Sequence, residues 1–149
     1  MKALYMIKDY IEKGLADALN LQMVQVPLIV SKNSGVNDYL DRDLSRTPID
    51  FTAGMCLPKR IEEQEVQAAT KWKRMALAQF ECGIGQGINT DMRAVRKDYF
   101  LDHDHSSYVD QWDWEKTIAA EDRNLDYLIE TVTKIWKVIW GAGMMIKEK

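Results

Sequence analysis

Two segments near the middle of the chain alternate in side-chain character with a period of two, and this pattern constrains the fold most. The first covers residues 88 to 96 and the second residues 108 to 115. Successive side chains of a strand point to opposite faces, so this period is typical of β-strands. The acidic segment between them, residues 97 to 105, is long enough to connect antiparallel neighbours. An antiparallel pair of strands is therefore expected.

Three other segments repeat their apolar residues every three or four positions, which is typical of amphipathic helices. They cover residues 2 to 19, 68 to 80 and 117 to 140. Gly141 and Gly143 follow the third segment and are expected to end it. Helices and strands together predict an α/β fold of the α+β type, with an antiparallel sheet and flanking helices.

The region between the first two helices is expected to hold short strands and loops. A β-branched run over residues 22 to 30 predicts a strand, although Pro27 lies inside it. Because proline has no N–H to donate to a neighbouring strand, this strand should lie at a sheet edge or a subunit contact. Residues 31 to 47 read as a polar loop and residues 48 to 51 as a short strand. Residues 59 to 65 are charged and are expected to be solvated.

Size and composition limit the classes of function. The chain has 149 residues, and we expect a single domain over residues 1 to 149. Its 20 Lys and Arg against 23 Asp and Glu give a net charge of −3, which argues against nucleic-acid binding. No apolar run approaches the roughly 20 residues that span a bilayer. Two cysteines cannot form a disulfide framework. We therefore expect a cytoplasmic protein without nucleic-acid or membrane partners.

The second strand of the predicted pair carries polar side chains on one face. Gln111 and Asp113 share that face, Trp112 and Trp114 share the other, and the partner strand ends in Arg96. A carboxylate, an amide and a guanidinium on one face would suit an amino-acid or phosphate ligand, because arginine pairs bidentately with both anions. A solvent-facing surface with cross-strand ion pairs explains the same pattern and is slightly favoured by spacing alone.

Three further motifs are weak signals for a site. The basic cluster over residues 71 to 74 is typical of a solvated helix face, and a ligand-facing cation there is the minority interpretation. The Asp-His-Asp-His sequence at residues 102 to 105 matches no zinc spacing, so no metal site is predicted. The glycines at residues 83, 85 and 87 lack the dinucleotide-binding spacing and are interpreted as a turn.

Three long motifs of unusual composition follow one another along the chain. They are Thr-Lys-Trp-Lys-Arg-Met-Ala-Leu at residues 70 to 77, Gly-Ile-Asn-Thr-Asp-Met-Arg-Ala-Val-Arg at residues 87 to 96, and His-Ser-Ser-Tyr-Val-Asp-Gln-Trp-Asp-Trp-Glu at residues 105 to 115. This order closely resembles the ammonia-dependent asparagine synthetases, or aspartate–ammonia ligases, which are similar in fold to class II aminoacyl-tRNA synthetases. Residues 24 to 30 and 35 to 38 look like the first motif of that family and the loop after it.

The resemblance implies an activity and a set of site residues. Family enzymes activate aspartate with ATP as β-aspartyl-adenylate, which ammonia then attacks, so ATP and Mg²⁺ are the implied cofactors of a ligase. The implied substrate-binding residues are Asp38 near the amino group, Lys73 at the side-chain carboxylate or adenylate, and Gln111 and Asp113 at the amino-acid moiety. Arg74 beside the nucleotide and Arg96 at the phosphate are the implied nucleotide-binding residues. Pro27 is implied to lie at a dimer interface.

Two departures from the family pattern affect this inference. The family has a His-Ser pair where this chain has Gln67 and Ala68, so the hydroxyl is missing. Family members are about twice as long, and this chain lacks their Gly-Gly-Gly-x-Gly-x-x-Arg motif, which supplies the nucleotide-stacking arginine. Since losing one such donor costs on the order of 2.7–4 kcal/mol, efficient turnover by this chain alone is not expected.

Three hypotheses of function follow from the sequence. We favour a non-catalytic, protein-binding or inhibitory module built on the synthetase scaffold, with no residue assigned as catalytic. Its partner would be another protein or a second copy, and Trp136 and Trp140 would form the interface, unless they fold into a rebuilt core. The alternatives are a ligase completed by a missing second half, and a sensor that binds asparagine, aspartate or AMP.

Overall fold

The computed structural model describes residues 2 to 41, 43 and 45 to 147 and has a mixed α/β fold. Its three α-helices are α1 (Lys2–Leu19), α2 (Thr70–Gln79) and α3 (Leu125–Lys147). Its six strands are β1 (Leu21–Met23), β2 (Ile29–Ser31), β3 (Asp50–Ala53), β4 (Ile61–Glu65), β5 (Gly87–Val95) and β6 (Tyr108–Lys116), with a 3₁₀ turn at Lys32–Ser34. The predicted fold class is therefore confirmed.

The strands form two sheets of three strands each. One sheet has the order β1-β5-β6, and β1 runs parallel to β5 with Leu21 opposite Gly87. The other has the order β2-β4-β3, in which β4 pairs antiparallel with both neighbours. The long strands β5 and β6 agree closely with the two predicted segments, whereas the parallel pairing of β1 was not predicted.

The chain divides into two compact units. The first contains Met1–Val24, Leu77–Asn89 and Trp114–Lys149, and the second contains Gln25–Ala76 and Thr90–Asp113. In the first unit α1 packs against α3, where glycines allow close approach. A Cβ atom at Gly14 would lie 2.7 Å from Val138 Cγ1, and one at Gly141 would lie 2.5 Å from Tyr10 Oη. The prediction of a single domain stays a prediction.

The second unit has its own small hydrophobic core. It consists of buried Val66, Ala69, Met92 and Ala94, with the half-buried Val26 and Val30 packed against them. Met92 and Ala94 come from β5, while Val66 and Ala69 lie between β4 and α2. This core fixes the start of α2 against the β5 strand.

The structure differs from the sequence predictions in two segments, residues 22 to 30 and residues 59 to 65. The single strand predicted over residues 22 to 30 is wrong, because β1 and β2 are separate and Pro27 lies between them. Proline has no N–H for a ladder, so the pairing with β5 ends before it and the pairing of β2 with β4 begins after it. The charged segment at residues 59 to 65 was predicted as solvated, and residues 59 to 62 are exposed, but β4 within it is the central strand of its sheet. There Gln64 is buried although its neighbours are glutamates.

The third helix also begins and ends later than predicted. The backbone of Thr117 exchanges hydrogen bonds with Gly85 and Gln86, so the chain is not helical there. The helix begins after Asn124, whose Oδ1 accepts the N–H of Tyr127 at 2.9 Å in the manner of an N-cap. Gly141 lies inside the helix, where it contacts Tyr10. Among the described residues, no helix is long and apolar enough to cross a membrane.

Candidate functional site

The buried ammonium group of Lys73 is the centre of the candidate site. Lys73 lies on α2 and is 2% exposed. Its Nζ donates a hydrogen bond to Oδ1 of Asp113 on β6, a side chain that is 24% exposed. The hydroxyl of buried Thr90 on β5 donates to the carbonyl oxygen of Asp113 at 2.9 Å. A buried cation needs such a partner, so the pair fixes α2 against β6 while Asp113 stays open to solvent.

The first turn of α2 is held by the residues that precede it in the fold. Oδ2 of Asp38 accepts a hydrogen bond from the backbone N–H of Lys71 at 3.2 Å. Lys71 lies in the first turn of α2, where backbone N–H groups have no acceptor within the helix. Nζ of Lys71 donates to the carbonyl oxygen of Asn37 at 3.0 Å. Buried Asn37 in turn donates to the carbonyl oxygen of Glu65 at 2.9 Å and accepts the N–H of Gln67 at 3.0 Å. This network positions Asp38 at the same helix that carries Lys73.

Arg96 and Gln111 occupy the same face of the β5–β6 pair as Asp113. The N–H of Arg96 donates to the carbonyl oxygen of Ser107 at 2.7 Å, which places these two residues opposite each other. Since alternate residues of a strand share a face, Ser107, Gln111 and Asp113 lie on the face of Arg96. From Ser107 to Asp113 this face extends about 20 Å at about 3.3 Å per residue. This face is long enough to bind an extended ligand, and it presents the guanidinium group of Arg96 at one end and the carboxylate of Asp113 at the other.

Two buried donors of the second unit have no hydrogen-bond acceptor among the described residues. They are Nε of Arg96, which lies beside the ring of Tyr99, and Nε2 of Gln67, a residue that is 1% exposed. A buried donor without an acceptor costs free energy, so such groups are rare and call for an explanation. A ligand oxygen would satisfy either of them. All six predicted substrate- and nucleotide-binding residues also lie in this unit.

Comparison with known proteins identifies the family. The family model for aspartate–ammonia ligase matches residues 1–149, which is the whole chain. The chain belongs to the aspartate–ammonia ligase family. The resemblance seen in the sequence is therefore confirmed, and the motifs at residues 70 to 77, 87 to 96 and 105 to 115 are those of a family member.

Curated aspartate–ammonia ligases share more than two fifths of their residues with this family member over the matched region. The enzyme of Mycoplasmoides gallisepticum is 42% identical over 147 residues, covering 99% of this chain and 43% of the relative. That of Clostridium perfringens strain SM101 is 47% identical over 146 residues, covering 96% and 41%. That of Lactobacillus johnsonii is 42% identical over 137 residues, covering 92% and 40%. The chain thus spans less than half the length of these relatives.

Some of the predicted site residues are in contact in the structure, and others lie further along the sheet. Lys73 and Asp113 are in direct contact, whereas Gln111 and Arg96 lie further along the same face and Arg74 is exposed on α2. Two contributors were not predicted as binding residues. Lys71 was assigned to a solvated helix face, and Gln67 was noted only as a departure from the family. The signal for Gln67 was a polar residue in an otherwise apolar stretch before α2.

The residues predicted at interfaces lie outside this site. Pro27 is half-buried between β1 and β2. Trp136 and Trp140 on α3 are 58% and 59% exposed, and their ring centroids are 6.0 Å apart. The two tryptophans therefore do not fold into a rebuilt core. Their role in an interface stays a prediction.

The Asp-His-Asp-His loop is a separate exposed cluster. One ligand atom from each of Asp102, Asp104 and His105 lies within 4.8 Å of the others. The hydrogen bond from His105 Nδ1, at 2.7 Å, holds the pKa of Asp102 below its usual value. Backbone N–H groups of Asp104 and His105 also donate to Asp102. These bonds account for the clustering as a local turn.

Proposed function

We propose that this chain supplies the amino-acid-binding half of an ATP-dependent aspartate–ammonia ligase. The observation that carries the proposal is the buried Lys73 ammonium bonded to the solvent-accessible Asp113, within a chain of this family. This pair offers a fixed cation and a fixed carboxylate at one position. Aspartate carries both an ammonium group and carboxylates, so it is complementary to such a pair.

The proposed reaction has two steps. The side-chain carboxylate of aspartate attacks the α-phosphorus of ATP, and pyrophosphate leaves. Ammonia then attacks the activated carbonyl carbon, AMP leaves with the bonding electron pair, and a proton is released from nitrogen. In the first step, negative charge develops on the α-phosphate, and cations held in place stabilise it without reorganisation.

Each predicted residue has a role that its chemistry supports. Lys73 would orient the side-chain carboxylate of aspartate, and Asp113 with Gln111 would hold the amino-acid moiety. Arg96 would donate its unsatisfied Nε to a phosphate oxygen. Asp38, held against the first turn of α2, would face the substrate ammonium. Arg74 would lie beside the nucleotide.

Mg²⁺ is implied by ATP, but the carboxylates of this site do not fit a magnesium centre. Asp113 accepts from Lys73, and Asp38 accepts from the backbone of Lys71. A magnesium ion prefers several oxygen ligands and water in octahedral geometry, without a competing ammonium group. We therefore assign no magnesium ligand to this chain and derive no step through the ion.

A second candidate function is a protein-binding or inhibitory module on the same scaffold. The observation that favours it is the exposure of Trp136 and Trp140, because large exposed apolar patches mark interaction surfaces. The two functions make different predictions for small ligands. A binding module needs neither nucleotide nor amino acid, whereas a ligase half must hold at least one of them.

Calorimetric titration with AMP in the presence of asparagine tests the proposal through the products, so no chemistry is needed. We expect micromolar binding that weakens at least about 10-fold in Arg96→Ala, since a charged hydrogen bond contributes about 1.5–3 kcal/mol. Arg93→Ala is the matched control, because Arg93 is an exposed arginine of β5, the strand that Arg96 directly follows, and it pairs with Asp91 at 3.1 Å. No heat at millimolar ligand, or equal loss in both variants, would contradict the nucleotide site. Binding without turnover, even when the missing half of the enzyme is supplied, would instead support a sensor.

A further inference from the structure

Helix α3 has apolar residues on two opposite sides, and among the described residues only one side is packed. On that side Val138 and Gly141 meet Gly14 and Tyr10 of α1, and Ala142 is buried. The opposite side carries a second apolar row that is exposed. Surface helices of globular proteins have a single apolar face, and a helix that is apolar all round is normally buried on all sides. The sequence of α3 is therefore that of a helix enclosed between two layers.

The exposed row is long and continuous, and we call it the α3 stripe. Its members recur at steps of three and four, so they lie on one face over a length of about 30 Å. All of them are more than two fifths exposed: Leu125, Leu128, Ile129, Val132, Trp136, Ile139, Trp140 and Met144. A mostly apolar groove of about 720 Å³ adjoins its first turns, beside Ile118 and Tyr127. Isolated monomers rarely expose so many large apolar side chains in one row.

The comparison with the curated relatives indicates what covers the stripe. More than half the length of the Mycoplasmoides gallisepticum and Clostridium perfringens enzymes has no counterpart in this chain. The matched part is their amino-terminal half. A family scaffold whose remaining half is absent from the structure must expose whatever that half covers. The largest row of exposed apolar side chains on one described helix is the α3 stripe.

We propose that the α3 stripe is the docking surface for a polypeptide equivalent to the carboxy-terminal half of these ligases. The inference rests on the proposed function, because the docked polypeptide would complete the same ligase. Trp136 and Trp140 lie in the middle of the stripe with their rings together, as expected for the centre of an interface. A second copy of this chain is the competing occupant.

Co-expression with the unmatched carboxy-terminal half of the Mycoplasmoides gallisepticum enzyme tests the docking directly. We expect a one-to-one complex by light scattering of the eluted peak. The double variant Trp136→Ala/Trp140→Ala should weaken it at least about 30-fold, because central aromatic residues carry most of the binding energy of an interface. Phe100→Ala is the matched control, since Phe100 is 79% exposed and lies in the second unit.

Three outcomes would overturn the proposal. They are the absence of a complex on co-expression, a complex that the double tryptophan variant leaves intact, and a homodimer through the stripe that excludes the added half. Far-ultraviolet circular dichroism of each variant shows that the chain is folded. Titration with AMP and asparagine is run on the same samples without the added half. Retained ligand binding with failed docking overturns the docking alone, and the reverse result overturns the ligand site alone.

Discussion

At the residue scale, Lys73 is a buried cation and therefore requires a partner of opposite charge. Its side chain is 2% exposed, and its ammonium group is hydrogen-bonded to Asp113. We expect Lys73→Ala to lower the free energy of unfolding by about 1–3 kcal/mol, because the change leaves the carboxylate without its donor. Lys13→Ala serves as the control, since the Lys13 side chain is 73% exposed and its removal should change the free energy of unfolding far less. Urea unfolding of both variants measures the difference, and equal effects would contradict the buried pair.

Gly87 is a second residue whose identity is dictated by its neighbours. A Cβ atom there would lie 2.3 Å from the carbonyl oxygen of Glu115 and 2.9 Å from Cα of Lys116, both of them backbone atoms. We expect Gly87→Ala to destabilise the first unit by about 1–3 kcal/mol or more, because the β6 backbone must move. In Gly143→Ala the new Cβ meets nothing within 4 Å, so this helical change should stabilise by up to about 1 kcal/mol. Thermal unfolding that ranks the two variants the other way would contradict this packing.

At the element scale, one ion pair ties the 3₁₀ turn to the β2-β4-β3 sheet. The hydrogen bond from Lys32 Nζ at 2.6 Å, and a second from Gln64 at 2.9 Å, hold the pKa of Asp50 below its usual value. The same bond raises the pKa of Lys32. A lowered aspartate pKa stabilises the fold above the ordinary value of about 3.9, and this contribution is lost as pH falls through the lowered pKa. The raised lysine pKa adds stability below about pH 10.4 that is lost at higher pH.

The variant Asp50→Asn should therefore be slightly less stable than the natural chain between about pH 4 and pH 10. The reason is that the pair is fully ionised only in that window, and the small size follows from its exposure. Unfolding midpoints measured across the pH range should converge below the lowered pKa of Asp50. A difference that persists unchanged in strong acid would show that the ion pair is not its source.

The elements that local sequence predicts well are those whose period is not interrupted. Helix α1 and strands β5 and β6 follow directly from their apolar spacing, and their bounds agree with the structure within a residue or two. Strand β4 was missed because its glutamates resemble a solvated segment, while pairing on both sides decides its conformation. The start of α3 was missed because Thr117 is held by backbone bonds to a distant turn. Such contacts between remote segments have no local signature.

At the scale of the whole molecule, the motifs located the candidate site better than the spacing alone. Family resemblance named both Lys73 and Asp113, yet their contact joins residues forty positions apart and was not predicted. The sequence left two alternatives for Trp136 and Trp140, an interface or a rebuilt core, and the structure shows both side chains exposed. Gln67 is identified as a candidate ligand-binding residue only by its burial and by its unsatisfied Nε2. Burial of a polar group is a tertiary property that one sequence does not display.

The two units carry different parts of the proposed function. The predicted substrate- and nucleotide-binding residues lie in the second unit, and the α3 stripe lies in the first. Ligand binding and docking of the remaining half can therefore be altered by separate substitutions. We expect the tryptophan variants to leave asparagine affinity unchanged and the Asp113 variant to leave docking unchanged.

Asparagine binding in the presence of AMP tests the central claim most directly. Calorimetric titration should show saturable binding that weakens at least about 10-fold in Asp113→Asn, because the substrate ammonium loses a charged acceptor. Asp110→Asn is the matched control, since Asp110 lies on the same strand but on the opposite face. We expect affinity to be lost in the first variant and retained in the second. Equal affinity in both variants, or no binding at millimolar asparagine, would contradict it.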